Sequence, residues 1–344
     1  MIKRLELRLL LFLCILHIAN IHSQQLPQFT FYQTVPLVYN PSVISLSDQT
    51  TINMGARWQM LGFGQEPLSS YTSFKTRINK PSSYNPSLRV SKSIRSEMEF
   101  EPKFLGHYVG GYFLADNYGA FRKLNFSAMY SSGVSFYSGL KLTGGVRFGL
   151  SNHSFFKDKA TVLNPSDFNS AYSGGDNTYD NFVLNQSNQF SFDLSAGFSL
   201  AYNGLVFGLS AAQITKDYLT LSSSSVNFDR NIHWHVFGAY IFPIGQNSEM
   251  QVSSILKQVV PFQFSIEGSL SFYVANNWFF GANYRHSNSS GVFAGYCFDS
   301  GFSVSYALDI PINNIYLYSQ GGHEFLLVYT IGNNIRPSNY ISTF

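Results

Sequence analysis

Phe262-Gln263-Phe264-Ser265-Ile266-Glu267-Gly268-Ser269-Leu270-Ser271-Phe272-Tyr273-Val274 alternates without a break. Phe262, Phe264, Ile266, Gly268, Leu270, Phe272 and Val274 fall on one face. Gln263, Ser265, Glu267, Ser269, Ser271 and Tyr273 fall on the other. Successive side chains of a strand point to opposite faces, so this stretch is a ribbon with one oily side and one polar side. The same period recurs on both sides of it. Phe192, Leu194, Phe198 and Leu200 oppose Ser191, Asp193, Ser195 and Ser199. Phe302, Val304, Tyr306 and Leu308 oppose Ser303, Ser305 and Asp309. Leu140, Leu142, Val146 and Phe148 oppose Lys141, Thr143 and Arg147.

Extended along the chain, the pattern marks segments 49–60, 68–79, 104–116, 123–133, 138–152, 188–202, 203–213, 230–243, 248–260, 262–275, 276–287, 289–298, 301–310 and 322–332. Most have the length of a tilted membrane-crossing strand, roughly 9–11 residues. The connections sort into two classes. Short ones lie near Ser131–Gly133, Asn203–Gly204, Gly245–Asn247, Ala275–Asn277 and Asp299–Gly301, with Asn-Gly and Asp-Ser-Gly as hairpin signals. Long ones, 153–187, 214–229 and 311–321, alternate with them. Short turns on one rim and long loops on the other are the asymmetry of outer-membrane barrels. The connection 80–103 breaks the rule, being long on the short-turn side.

Composition separates this reading from a soluble sandwich, which also alternates. Of the 344 residues only 12% are charged, about half the usual share, while 17% are aromatic, with 33 Phe and 22 Tyr. Ser, Asn, Gln, Gly and Thr dominate the polar faces. Aromatics recur near the ends of the segments at Trp58, Tyr71, Tyr202, Trp234, Trp278 and Tyr306. A net charge of +3 with no basic run gives no footing for nucleic acid. In hydrocarbon every unpaired backbone group costs several kcal/mol, so the sheet must close. The expected fold is all-β, a single antiparallel transmembrane β-barrel of about fourteen strands, multi-pass in the bacterial outer membrane, with outer-membrane lipid against its apolar face.

Residues 1–23 read as a secretory signal peptide. Lys3, Arg4 and Arg8 precede the apolar run Leu9–Ile18, too short to span a bilayer, and cleavage is expected near Ser23–Gln24. Residues 24–48 are expected to form a periplasmic N-terminal segment. Phe29, Phe31, Tyr32, Val35, Leu37 and Val38 need burial there, while Pro36 and Pro41 interrupt any strand. The segment is expected to fold into or against the periplasmic mouth and narrow the lumen. The barrel takes 49–332, and 333–344 form a C-terminal tail. With one cysteine, Cys297, beyond the leader, neither a disulfide nor a cysteine-based zinc site is expected.

Pro27-Gln28-Phe29, Asn40-Pro41-Ser42, Arg57-Trp58-Gln59 with Gly62-Phe63 and Pro67, and Ser319-Gln320-Gly321-Gly322-His323-Glu324-Phe325 stand in the order and spacing of short segments of the PorP/SprF family, which the chain resembles over essentially its whole mature length. Two departures stand out: Ser42 replaces the family's Ala, and residues 333–344 run past the aromatic at which members often end. The resemblance implies association with the type IX secretion system and gliding motility. The implied partners are a secreted surface adhesin or its C-terminal domain, and secretion components including a periplasmic ring lipoprotein.

The strand reading turns Arg57, Lys75, Arg77, Lys141, Arg147, Asp193, Lys257, Glu267, Arg285 and Asp309 inward. They are either the polar filling of a barrel, paired across strands, or the lining of an anion-favouring conduit. His233 and His235 share a face but lack a third ligand nearby, so neutral interior histidines are expected in place of a metal site. Ser173–Asp180 lacks the spacing and closing Glu of a calcium loop. No nucleophile elbow or phosphate-binding glycine loop occurs, so neither catalysis nor a cofactor is expected. His323-Glu324 either holds a partner at the external rim or stabilises the start of the closing strand. The expected role is non-enzymatic, helping to export or anchor a large adhesin; the alternative is a passive porin-like channel for small solutes.

Overall fold

A computed structural model describes residues 29–62, 66–79, 102–156, 159, 188–215, 218–220, 227–229, 231–259, 263–275 and 277–331. The expected signal peptide, the C-terminal tail, the loop around Ser173–Asp180, most of 80–103, and Pro27, Gln28 and Phe63 lie outside the described residues.

In chain order the strands are β1 (Thr50–Trp58), β2 (Leu68–Arg77), β3 (Pro102–Tyr118), β4 (Phe121–Phe136), β5 (Lys141–Phe155), β6 (Asn188–Tyr202), β7 (Leu205–Ala212), β8 (Tyr218–Thr220), β9 (Asn227–Asp229), β10 (His233–Gly245), β11 (Ser248–Val259), β12 (Gln263–Val274), β13 (Trp278–Arg285), β14 (Ser289–Cys297), β15 (Phe302–Pro311) and β16 (Gly322–Ile331). All but β8 and β9 form one closed antiparallel barrel, each strand paired to its neighbours and β1 to β16. The fourteen barrel strands match the fourteen alternating segments, with ends agreeing to within three residues. β8 and β9 pair only with each other, as a hairpin inside the connection 213–232.

The period-two pattern is now explained by where each face goes. Phe126, Phe148, Phe190 and Phe192 are 61–68% exposed on the outside, where lipid covers them. Their sequence neighbours Asn125, Ser127, Arg147, Ser191 and Asp193 are buried in the lumen. Closure by the β1–β16 ladder, with Thr50 opposite Ile331 and Trp58 opposite His323, leaves no edge strand in the hydrocarbon. Thr50 and Ile331 lie on the rim that carries the connections 137–140, 203–204, 246–247, 275–277 and 298–301. Asn203 (φ 46°) and Gly204 (φ 82°) make a two-residue hairpin turn whose left-handed backbone Asn-Gly tolerates. The same rim carries 78–101, and the opposite rim carries the short connections 119–120, 260–262 and 286–288. The four long connections 59–67, 156–187, 213–232 and 312–321 all lie on that opposite rim and mark it as external, leaving the first rim as periplasmic.

Trp58, Trp234, Trp278, Tyr202 and Tyr306 stand on the lipid face. Tyr71 does not. It shares the inward set of β2 with Ser69, Ser73 and Lys75, is 1% exposed, and packs on Phe29. Its place near a strand end suggested a girdle residue, but parity along the strand, not nearness to the rim, decides the face.

Residues 29–48 occupy the lumen itself. A one-turn helix, α1 (Pro36–Tyr39), is followed by a 3-10 turn, Pro41–Ser45, capped by the Asn40 side chain accepting from Ser42 N. The prolines that exclude a strand here sit at the first turns of these two pieces, where no N–H is needed. Every residue from Phe29 to Ser45 is buried, and the aromatic and aliphatic ones are 2% exposed or less. The segment does not stop at the periplasmic mouth. It runs from Asp48 at that rim to Thr30 beside Asn283 and Glu324, near the external ends of β13 and β16.

Candidate functional site

The lumen and the segment threaded through it form the candidate site. At its upper end the Glu324 carboxylate accepts from Thr30 N at 2.7 Å and Phe31 N at 3.4 Å. Asn283 Nδ2 donates to the Thr30 carbonyl at 3.2 Å, and Asn53 Nδ2 to that of Thr34 at 3.1 Å. Phe29 packs against Tyr71 and Phe31 against Phe293, with ring centroids 5.8 and 5.1 Å apart. Tyr32 and Gln33 both hydrogen-bond the Ser253 hydroxyl.

Midway, Arg147 reaches from β5 into the segment. One guanidinium nitrogen donates to the Val38 carbonyl at 2.7 Å and to that of Leu37 at 3.3 Å. The other meets Asp193 at 3.2 Å and Ser195 at 2.6 Å. The Ser210 hydroxyl donates to the Tyr39 carbonyl at 2.7 Å. Lys257 Nζ lies 4.8 Å from the Tyr39 ring, and the His235 ring meets it edge-on at 5.5 Å. The Asn40-Pro41-Ser42 turn lies against Gly145 and Gly197, two inward glycines on β5 and β6. A Cβ on Gly145 would stand 2.7 Å from the Pro41 carbonyl, and one on Gly197 would be 2.9 Å from Asn40 Cγ. Ser42 Oγ and Ser199 Oγ are 2.5 Å apart, and Ser45 Oγ and Ser131 Oγ 2.7 Å.

At the foot, Asp48 pairs with Arg77 at 2.9 Å and Lys141 at 3.5 Å, and Tyr108 donates its hydroxyl to the same carboxylate. Burial alone raises this carboxyl's pKa. The Lys141 charge, the Tyr108 hydrogen bond and the Arg77 charge outweigh burial and hold it below the usual carboxylate range. A depressed pKa in the folded state means that the foot is stabilised above about pH 3.9, the unfolded value, and loses that stabilisation as pH falls through the folded value. The carboxylate is half exposed, so solvent screens the pair and its contribution is modest. Protease sensitivity at 46–49 is therefore expected to be flat from pH 8 to about 5 and to rise only in stronger acid. Asp48→Asn should raise it at neutral pH. Equal cleavage of both proteins across that range would refute the role of Asp48 in holding the foot.

The structure places all ten inward charges on the lumen side and sorts them into three groups. Arg57, Asp309, Arg285, Glu267 and Lys257 form one chain of contacts near the external rim. Arg57 meets Asp309 at 2.5 Å, Asp309 lies 3.7 Å from Arg285, Arg285 pairs with Glu267, and Lys257 meets Glu267 at 2.9 Å. Arg147 and Asp193 form the second group. Arg77 and Lys141 form the third with Asp48, Lys75 lying buried on the same strand face as Arg77. Six of the seven basic groups thus meet carboxylates, Lys75 being the exception among the described residues.

The short sequence segments come together here. Phe29 packs on Tyr71 at the top of the segment, where Glu324 binds the next two residues, Asn40 and Pro41 lie in its middle, and Arg57 stands opposite Glu324 in the β1–β16 register. His323 and Glu324 are split by the pleat. His323 Nδ1 is 2.5 Å from Tyr306 Oη on the outer side, and only Glu324 enters the lumen. Trp58 faces outward against Phe325. Gly62 and Pro67 belong to the external connection 59–67, where Leu61 exchanges backbone hydrogen bonds with Gly321 and Gln320. His233 and His235 are buried side by side, and among the described residues no cluster of three metal-ligating side chains occurs. The residues not read as site residues from the sequence are Ser131, taken there for a turn, and Ser199, Ser210, Ser253, Asn53, Asn283 and the two glycines. Their inward parity was readable; that they face a chain in place of water was not.

A family model described as type IX secretion system membrane protein PorP/SprF matches residues 21–329. No curated protein matches. Among solved structures the chain is similar to outer-membrane protein Omp33 of Acinetobacter baumannii (7% identity, 83% of this chain and 98% of that one, TM-score 0.43). It is also similar to the toluene transporters TodX of Pseudomonas putida (9%, 91% and 99%, TM-score 0.47) and TbuX of Ralstonia pickettii (9%, 86% and 93%, TM-score 0.46). At these scores they add nothing to what the strand pairing shows directly.

Proposed function

This chain belongs to the PorP/SprF family of type IX secretion system membrane proteins, and from that premise we propose that it serves the system as a closed outer-membrane partner that helps a large surface adhesin to be exported or held. The observation that carries this reading is the filled lumen. Phe29 to Ser45 are buried among inward side chains that bond them, so the barrel offers surfaces and not a passage. A passive channel needs an open polar bore, and the paired charges and seated segment speak against one.

Contact with the adhesin falls to the external connections. The one at 312–321 presents Ile312, Tyr316, Leu317 and Tyr318, each 48–72% exposed. Exposed aromatic and aliphatic side chains grouped on one loop are typical of a protein contact. The periplasmic connection 80–103 is the corresponding surface for the secretion machinery, including a ring lipoprotein.

The test is a mild-detergent pull-down of the tagged barrel from its own cells, read by mass spectrometry. Recovery of a surface polypeptide, whose display disappears when the barrel is deleted, is the expected result. Recovery of the barrel alone, with other membrane complexes intact and surface proteins still displayed, would return the assignment to a channel.

A further inference from the structure

The wall holds the segment by its main chain as well as by the side chains of Gln33, Asn40 and Ser42. Glu324 takes the Thr30 N–H; Asn53, Arg147, Ser210 and Lys141 donate to the carbonyls of Thr34, Val38, Tyr39 and Leu46 at 2.7–3.1 Å. These side chains come from strands around the barrel, β1, β5, β7 and β16, and every one reaches an atom that any residue would supply. The segment contributes little regular structure of its own, one helical turn and one 3-10 turn. Within the described residues its covalent tie to the wall is the stretch Ser47–Gln49. Recognition by main-chain bonds, with pockets for some side chains, is how proteins bind extended peptides. The lumen also carries recognition capacity that this segment does not use. Lys75 Nζ and Asn53 Oδ1 are buried and have no hydrogen-bond partner among the described residues. A buried polar group without a partner is costly, so each of these atoms is a point at which a different occupant would gain a bond.

We infer that the lumen is a polypeptide-binding site, seated by the chain's own N-terminal segment and able to exchange it for an extended, aromatic and proline-bearing segment of a partner. Tyr71, Phe293 and the Tyr39 pocket of His235 and Lys257 supply the places for aromatic rings. The inference rests on the proposed partnership only for who supplies the incoming segment, and its test uses this chain's own peptide, so the two fail separately.

The experiment begins with the full-length folded protein carrying a protease site inserted between Asp48 and Gln49. After cleavage the fragment is expected to stay on the barrel through size-exclusion chromatography. An isotope-labelled synthetic peptide of residues 24–48 should then replace it, followed by mass spectrometry, while a glycine-serine peptide of equal length should not. Glu324→Gln should speed the exchange about tenfold or more, the loss of a charge-assisted hydrogen bond. Ser210→Ala, which removes a single neutral bond, should speed it less. Two results overturn the inference. In one, the cut fragment never exchanges in either variant while the barrel keeps its heat-modifiable mobility. In the other, it leaves on cutting and the peptide does not return.

Discussion

Gly145→Leu is expected to open the barrel, giving stable ion conductance in planar bilayers where the unmodified protein gives almost none. A Cβ on Gly145 would lie 2.7 Å from the carbonyl carbon and oxygen of Pro41 and 2.8 Å from Ser42 N. These are backbone atoms, so no rotamer change relieves the overlap. Either β5 or the Asn40-Pro41-Ser42 turn must move. β5 is held by continuous ladders to β4 and β6, from Lys141 to Phe155 on one side and to Ser154 on the other. The turn is held by side-chain hydrogen bonds from Ser199 and Ser131 and is the softer partner. It is therefore displaced, and the hydroxyl-lined wall it covered becomes a wet bore. Gly144, the preceding residue, points outward, and a Cβ there meets nothing within 4 Å. Gly144→Leu adds the same bulk to the same strand and is expected to leave conductance unchanged. Equal conductance of Gly145→Leu, Gly144→Leu and the unmodified protein, with all three folded, would mean that the segment does not seal the lumen.

The same geometry explains what could be read from the sequence and what could not. Phe262–Val274 and its companions were legible because the barrel wall is one side chain thick. Each residue touches lipid or lumen, so parity alone assigns its face. Hairpin chemistry fixed the reversal at Asn203-Gly204, whereas Ser131–Gly133, read as a turn for its small residues, lies inside β4, which runs on to Phe136. The need to bury residues 24–48 was equally visible in Phe29, Phe31, Val35 and Leu37. Their path was not, because an irregular segment has no period and its partners are remote in the chain. Thr30 and Glu324 are 294 positions apart. Ser199, Ser210 and Gly145 looked like any small residue on a polar face. Only the threaded chain makes them binding residues. His323-Glu324 stood out as a pair, yet the pleat gives the two opposite surroundings, and the acid alone touches the segment.

Arg147→Met is expected to be the most destabilising single change in the lumen, by about 3–5 kcal/mol. Arg147 is 1% exposed and joins three things at once: Asp193 and Ser195 on β6, the carbonyls of Leu37 and Val38, and the ring of Tyr112 at 5.5 Å. Truncation leaves the Asp193 carboxylate buried, with the Gln213 N–H at 2.8 Å and the Ser195 hydroxyl as neutral donors. Removing one partner of a buried pair costs more than removing both, because an uncompensated charge remains. The double variant Arg147→Met/Asp193→Asn should therefore recover a substantial part of the loss, even though it lacks two native side chains. Arg147→Lys should recover less than the charge alone suggests, since an ammonium cannot span Asp193 and the Val38 carbonyl as the planar guanidinium does. Urea unfolding of the barrel refolded into lipid vesicles, followed by loss of heat-modifiable mobility, measures each step. The ordering decides between two roles. If Arg147 only fills space, the single and double variants should be equally weakened. If it ties wall to segment through charge, the double variant should be the more stable of the two, and both should release the segment faster than the unmodified protein.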